Sequence, residues 1–184
     1  MIPTFKTERL IIREMTEADL PNYEKYFIDY EVIRYLTASV PWPYPAEGVR
    51  DYLNQEIIPY LGKERWLWGI FLQKSPGELI GAIELRRKAN PDNRGFWLGK
   101  KFWGRGIMTE ALVPITNYAF DLLGFEKMVF TNAVGNGPSH RIKDKMGARL
   151  LYTKPAKFVD PDFKEHEVWE LSKEAWQRKS INPQ

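Results

Sequence analysis

Hydrophobic and polar positions along the first third of the chain change rhythm several times. Arg9–Glu14 (RLIIRE) is a short run rich in β-branched residues and predicts a strand. Thr16 then reads as a helix cap, with Glu17 and Asp19 in the first turn and Leu20, Tyr23 and Phe27 recurring at threes and fours. Pro41, Pro43 and Pro45, interleaved with Trp42 and Tyr44, predict an irregular aromatic loop, because proline interrupts ladders and helices alike. A helix is expected from about Glu47 towards Ile57, with Pro59 at its end. Trp66–Leu72 and Glu78–Arg86 lie on either side of Ser75-Pro76-Gly77 and predict an antiparallel hairpin with those three residues as its turn.

The second half is more regular. Arg94–Gly99 predicts a strand and Met128–Val134 another. Between them Ile107, Ala111, Ile115, Tyr118 and Leu122 make one apolar stripe of a helix over 107–123, closed by Gly124. Pro114 lies inside that stripe and predicts a local kink. Pro138 opens a short helix and Gly147 closes it, and two further strand candidates lie near Leu150 and Val168. The order strand, turn, helix, strand, helix predicts an α/β or α+β sheet domain. A chain of 184 residues fits one such domain, 1–184.

Composition narrows the function. Seven Trp, nine Tyr and ten Phe exclude a solvated coil. Zero cysteines exclude disulfides, thiol nucleophiles and cysteine-based zinc sites. No apolar run approaches the roughly 20 residues that span a bilayer. The opening MIPTFKTERL has no apolar core, so neither a secretory signal nor a membrane partner is expected, and the reading is cytoplasmic. A net charge of +3 is too mild for a DNA-binding stripe. The densest basic patches, Arg86-Arg87-Lys88 and Lys100-Lys101 with Arg105, suit a solvated surface or a small anionic ligand.

Most chemical motifs fail on spacing. Gly104-Arg105-Gly106-Ile107-Met108-Thr109 begins like a dinucleotide fingerprint but lacks its third glycine, and Gly99-Lys100-Lys101 lacks the ending of a P-loop. His166-Glu167-Val168-Trp169-Glu170 misses the second histidine of a zinc helix, so no metal is expected. Ser139 and His140 are adjacent at a helix start and point in different directions, which rules out a nucleophile–base pair. What remains is the turn Phe102-Trp103-Gly104-Arg105-Gly106 feeding a helix. Two glycines let the backbone approach a bulky ligand, and the free N–H groups of the first helical turn attract an anion such as pyrophosphate. Arg105 and Lys101 add charge beside it. A tight turn in which glycine is merely convenient explains the same residues.

These residues resemble a family. Lys101-Phe102-Trp103-Gly104-Arg105-Gly106, continuing Ile107-Met108-Thr109-Glu110-Ala111, is similar to the acetyl-CoA-binding motif Q/R-x-x-G-x-G/A of the GNAT superfamily of N-acetyltransferases. The WGRG-x-x-TEA form resembles the branch that modifies ribosomal-protein N-termini. Asn136-Gly137-Pro138-Ser139 with Lys145-Met146-Gly147 is similar to that branch's second motif, and TERLIIREMTEADL and VWELSKEAW resemble its usual ends. The resemblance runs from about residue 7 to 176.

The resemblance implies an α/β/α-layered α+β fold whose mixed central sheet splays like a V around acetyl-CoA. Backbone N–H groups of Gly104, Arg105, Gly106, Ile107, Met108 and Thr109 would hold the pyrophosphate, with Lys101 at the motif's Q/R position. Main chain at Leu98 and Gly99 would pair with the pantetheine arm and an N–H near Leu98 would meet the oxyanion. Asn136 would contact pantetheine, unless it is only a helix cap. Transfer would be direct, from acetyl-CoA to a primary amine, with coenzyme A as product. Glu84 and then Glu165 are the candidate bases; each is equally readable as a surface or salt-bridged glutamate. Many members protonate the leaving thiolate with a tyrosine, but the matching residue here is Lys143, so the role passes to Ser139. The acceptor is a protein N-terminus or a small-molecule amine, and the chain is a monomer or homodimer. A non-catalytic acyl-CoA sensor on the same fold, or a ribosome- or RNA-associated factor, stays open at this point.

Overall fold

The computed structural model describes residues 2–89 and 92–181. A five-stranded sheet is built from β1 (Phe5–Lys6), β2 (Leu10–Glu14), β3 (Arg65–Leu72), β4 (Ser75–Arg86) and β5 (Arg94–Leu98), in that spatial order and antiparallel throughout. The β3 and β4 strands sit mid-sheet, and their hydrophobic run is buried almost continuously because elements cover both faces. Gly69, Ala82 and Trp97 stand in one row across β3, β4 and β5, while Trp68, Ile83 and Phe96 stand in the next row and face the other way. Helix α1 (Leu20–Phe27) covers the first face, with Tyr23 and Phe27 ring centroids 4.8 and 5.3 Å from Trp97. The short helices α2 (Tyr30–Ile33) and α3 (Gly48–Tyr52) follow it. The opposite face is covered by α4 (Ile107–Asn117), whose continuation puts Tyr118 5.8 Å from Trp68.

A second, three-stranded antiparallel sheet has the order β6 (Lys127–Ala133), β8 (Glu165–Ser172), β7 (Arg149–Pro155). Helix α5 (Gly137–Lys145) joins β6 to β7, and α6 (Lys173–Ile181) follows β8. Asn93, at the start of β5, joins the two sheets: its N–H donates to the Val129 carbonyl at 2.9 Å and its Oδ1 accepts from the Val129 N–H at 2.8 Å. From this junction β5 and β6 both run on and no ladder connects them, so the two sheets part towards Leu98 and Ala133. Among the described residues no helix is long and apolar enough to cross a membrane.

Several sequence expectations need correction. The hairpin reverses at Gln73-Lys74, and Ser75-Pro76-Gly77 belongs to β4, where the pairing slips between Leu72↔Ser75 and Phe71↔Leu79. Pro76 and Gly77 thus sit in a bulge, a place where a missing N–H costs no ladder bond. Regular helix continues past Pro114 to Asn117, and only then widens into a π-type turn over Tyr118–Leu122. The helix expected from Glu47 holds α geometry only to Tyr52 before a π-type turn, Leu53–Ile57.

Candidate active site at the open end of the splay

Both strands that part from Asn93 and Val129 lead straight into a helix. Strand β5 passes through the glycine turn into α4, and β6 passes through Gly135-Asn136 into α5, so two helix N-termini follow the two diverging strand ends.

On the β5 side, Gly99 donates to the Ile80 carbonyl at 2.9 Å, and Arg86 donates to Asn93 at 2.8 Å. These bonds fix the alternation along β5: Trp97 and Gly95 bond to β4, whereas Leu98 and Phe96 turn their N–H and C=O groups the other way, into the opening. The Leu98 carbonyl accepts from the Trp103 indole N–H at 2.6 Å, and the Leu98 N–H, like that of Phe96, is a donor turned to this edge. At Gly99, expected to pair with pantetheine, the N–H serves Ile80 and the carbonyl accepts from Phe102 with one lone pair left over.

The glycine turn adopts the conformation that glycine alone takes easily. Gly104 and Gly106 have φ of +72° and +71°, and among the described residues nothing lies within 4 Å of where a Cβ on Gly104 would stand. Ile107, Met108 and Thr109 begin α4, and their N–H groups precede any intrahelical acceptor. A strap from the N-terminal strand holds this turn. Arg9 donates through Nη1 to the Arg105 carbonyl at 2.9 Å and through Nε to Glu110 at 2.6 Å, and Thr7 also bonds Glu110. Arg105 is exposed. Lys101 is turned to Glu78 (3.0 Å) and lies 4.7 Å from the Tyr26 ring, contacts that raise its pKa. Its charge is therefore compensated, unlike the free cation expected beside a phosphate.

On the β6 side, Asn136 caps α5, its Oδ1 accepting from the Ser139 N–H at 3.3 Å. Ser139 and His140 diverge, as adjacent helical residues must. Ser139 Oγ receives a hydrogen bond from Lys143 Nζ at 2.7 Å, while His140 Nδ1 lies 3.0 Å from Glu167. Burial pushes Lys143 down to about 7, and nearby Arg94 adds to the effect. Burial also lowers Arg94 to about 9. Glu167 is buried, which works against its charge, but bonds from Asn132, His140 and Trp169 outweigh this and hold its carboxyl low.

The two candidate bases sit in different surroundings. Glu84 is buried, and both of its oxygens are engaged: Arg65 Nε reaches Oε1 at 2.7 Å, Arg86 Nη2 reaches Oε2 at 2.7 Å and the Tyr52 hydroxyl donates to Oε2 at 2.8 Å. The carboxylate binds α3 to β3 and β4 on the face lined by Tyr23 and Trp97. Burial and Glu84 together raise the Tyr52 pKa. Glu165 opens β8 as an exposed carboxylate, and its carbonyl accepts from Val134 just past the end of β6.

Sequence reading found the glycine turn and Ser139 but missed Asn93, the Arg9–Glu110 strap, the Trp103 indole bond and the Glu167–His140 pair. Thr7, Arg9 and Glu110 all lie in stretches singled out above, yet nothing in a linear pattern says that they meet. Glu167 sat inside the discarded HExxE.

The geometry has counterparts. Residues 9–149 match the Acetyltransferase (GNAT) domain family. The uncharacterized N-acetyltransferase YoaA of Bacillus subtilis (strain 168) is 27% identical over 150 residues, covering 80% of this chain and 83% of YoaA. Two solved structures share the fold: the ribosomal-protein-S5-alanine acetyltransferase of Vibrio fischeri (TM-score 0.77, 14% identity, covering 95% of this chain and 99% of that one), and the spermidine N-acetyltransferase of Vibrio cholerae in complex with CoA and spermine (TM-score 0.76, 14% identity, 93% and 99%). The two parted sheets, the glycine turn and the capped second helix are thus those of an acyltransferase, and the chain belongs to the GNAT acetyltransferase family.

Proposed function

We propose that this enzyme uses acetyl-CoA to acetylate a primary amine, either a protein N-terminus or a small-molecule amine. The observation that carries this reading is the unpaired Leu98 N–H at the parting of the sheets, beside a helix that begins at two left-handed glycines. A donor that the ladder leaves over, in a site closed on two sides by sheet, suits the oxygen of a thioester carbonyl as charge builds on it. The N–H groups from Gly104 to Thr109 suit a pyrophosphate, favoured by the N-terminal end of α4. Acetyl-CoA supplies an activated acyl group, so the protein has only to orient it and manage two protons.

An α-amine has a pKa near 8 and needs modest help to become a nucleophile. Of the two carboxylates, Glu165 is exposed and accepts only a long bond from Thr153 (3.4 Å) on Oε1 among the described residues, so it is the freer to receive that proton, directly or through water, whereas the oxygens of Glu84 are held by arginines and Tyr52. Ser139, in the first turn of α5, would protonate the departing sulfur. Trp103 would have to release Leu98 for a pantetheine amide to bond that carbonyl.

Calorimetric titration with acetyl-CoA, with NADH and ATP as controls, tests the donor. Micromolar binding of acetyl-CoA alone is expected. Release of free thiol is then followed with spermine and with an alanine-terminated peptide, and acceleration by either one assigns the acceptor class. Binding of NADH or ATP in place of acetyl-CoA would overturn the reading.

A further inference from the structure

Lys143 is among the most buried side chains in the protein, at 2% exposure, although it carries an ammonium group. Its hydrogen-bond partner is Ser139 Oγ, and among the described residues no carboxylate comes within 4.0 Å of it. Phe96 faces it from β5 with its ring centroid 5.7 Å away. Arg94, at the start of the same strand, is 4% exposed, lies 4.0 Å over the Phe130 ring, and among the described residues has no hydrogen-bond partner for Nε and Nη2. Its Nη1 reaches only the neutral Thr116 Oγ1 (3.5 Å) and Met146 Sδ (3.4 Å), so the wedge between β5, β6 and α5 encloses two cations with no carboxylate in contact among the described residues. Arg94 repels the Lys143 ammonium, and Asp92 and Glu167 attract it. Asp92 is itself engaged by Arg86 and Thr131, and Glu167 by Asn132, His140 and Trp169. Buried charge left in this state is costly.

The hydrogen bond has a direction. An ammonium donates and cannot accept, so Ser139 Oγ receives it and its own hydrogen must point to another acceptor. We propose that Lys143 is the proton reservoir behind Ser139, an inference that rests on the acetyl-CoA reading above. As the C–S bond of the thioester breaks, the electron pair stays on sulfur. Ser139 gives the sulfur its hydroxyl proton, and Lys143 Nζ restores that proton to Ser139. The lysine is left as a neutral amine and recovers a proton from water, so the serine is unchanged and one proton passes from lysine to thiol. Lys143 acts through Ser139 and does not touch the sulfur. Its lowered pKa, about 7, makes the ammonium a willing donor near neutrality. The protonated form is the useful one, so this step slows as pH rises through that value.

The test uses coenzyme A itself and the ultraviolet absorbance of its thiolate. In the wild-type protein the thiol of bound coenzyme A should ionise about 1–3 pH units below that of free coenzyme A, because thiolate and Lys143 ammonium titrate as a coupled pair in which each holds the other charged. Lys143→Met should bind coenzyme A within about threefold of wild type by calorimetry and lose the shift; Lys143→Gln provides a second variant of the same test. Lys143→Arg should keep the shift, because its charge remains. With spermine or an alanine-terminated peptide as acceptor it should still turn over about 10²-fold more slowly, because a guanidinium does not release its proton. The falling alkaline limb of the wild-type pH–rate profile should vanish in Lys143→Met. Bound coenzyme A that ionises like free coenzyme A, or a shift that survives in Lys143→Met, overturns the inference alone. Failure of the wild type to bind coenzyme A overturns the donor reading and this inference together.

Discussion

Asn93 and Val129 are tied by a pair of hydrogen bonds, one through the Asn93 backbone and one through its side chain, where the two sheets are joined. The asparagine amide also donates to the Arg86 carbonyl at 3.1 Å. One buried side chain therefore closes the narrow end of the splay and sets how far the strands part beyond it. Asn93→Ala leaves the Val129 N–H without its partner, a loss of about 1–3 kcal/mol. Chemical denaturation should show that loss, and acetyl-CoA affinity should fall by about tenfold. An unchanged midpoint and affinity would mean that the sheets are held apart by other contacts.

Gly104 and Gly106 invite a different kind of substitution. Gly104→Val or Gly106→Val places a branched side chain where φ is positive, at a cost of about 1–2 kcal/mol in backbone strain. Among the described residues no atom stands in the way at Gly104, and at Gly106 the nearest is Arg9 Nη2 at 3.6 Å. The fold should survive with a modest drop in melting temperature, while the side chain occupies the approach to the N–H groups. Acetyl-CoA binding should fall by at least 100-fold. A folded variant with wild-type affinity would remove the pyrophosphate site from this turn.

Glu84 and Glu165 separate by stability and by rate. Glu84→Gln removes a buried carboxylate shared by two partly buried arginines, which keep Glu56 and Asp92 as partners, and should destabilise the protein by about 2–3 kcal/mol. Glu165→Gln should leave the melting temperature unchanged and lower turnover by about 10². The reverse pattern, a stable Glu84→Gln with its activity lost, would return the base to Glu84.

Stability should depend on pH at both ends. Lys143 is held near 7 in the fold against an ordinary 10.5, so between those values the unfolded chain binds the extra proton and stability rises with pH. Arg94 acts in the same sense from about 9 upward. Lys143→Met should flatten this slope and raise the melting temperature at neutral pH by about 5 °C. At the acid end Glu167 and Asp19 are held low, so their contribution is present above their ordinary 4.5 and 3.8 and is lost as pH falls below them. Melting curves across pH for both proteins check each limb.

Elements that depend on local signals were legible in the sequence. Thr16, Pro138, Gly124 and Gly147 punctuate helices by what they are, and the Trp66–Leu72 run is too apolar to be anything but interior. The bulge at Pro76-Gly77 was not legible, because a turn and a bulge favour the same residues and only the pairing of Phe71 with Leu79 decides. The division into two sheets was hidden from local reading for a related reason. A strand's pattern reports which face is buried and not whether its edge has a neighbour, so the splay came from the family resemblance alone. At the site, the glycine turn was visible because its chemistry lies in consecutive residues. Lys143 was noted only as the wrong residue at a tyrosine position. Its burial against Ser139 is set by β5, β6 and α5 together, and no window of sequence contains all three.

The Leu98 N–H points away from β4 while the N–H groups on either side of it, at Trp97 and Gly99, belong to the ladder. Solvent deuterium will treat these neighbours very differently. Without a ligand the amide of Leu98 should exchange as fast as those of the glycine turn, although it lies in the last strand of a buried sheet and its neighbours exchange only when that sheet opens. The boundary between protected and unprotected backbone thus runs through single residues at the site. An acyl donor would register there as a slowing of exchange confined to Leu98 and the start of α4, with the sheet behind them already as slow as the fold allows.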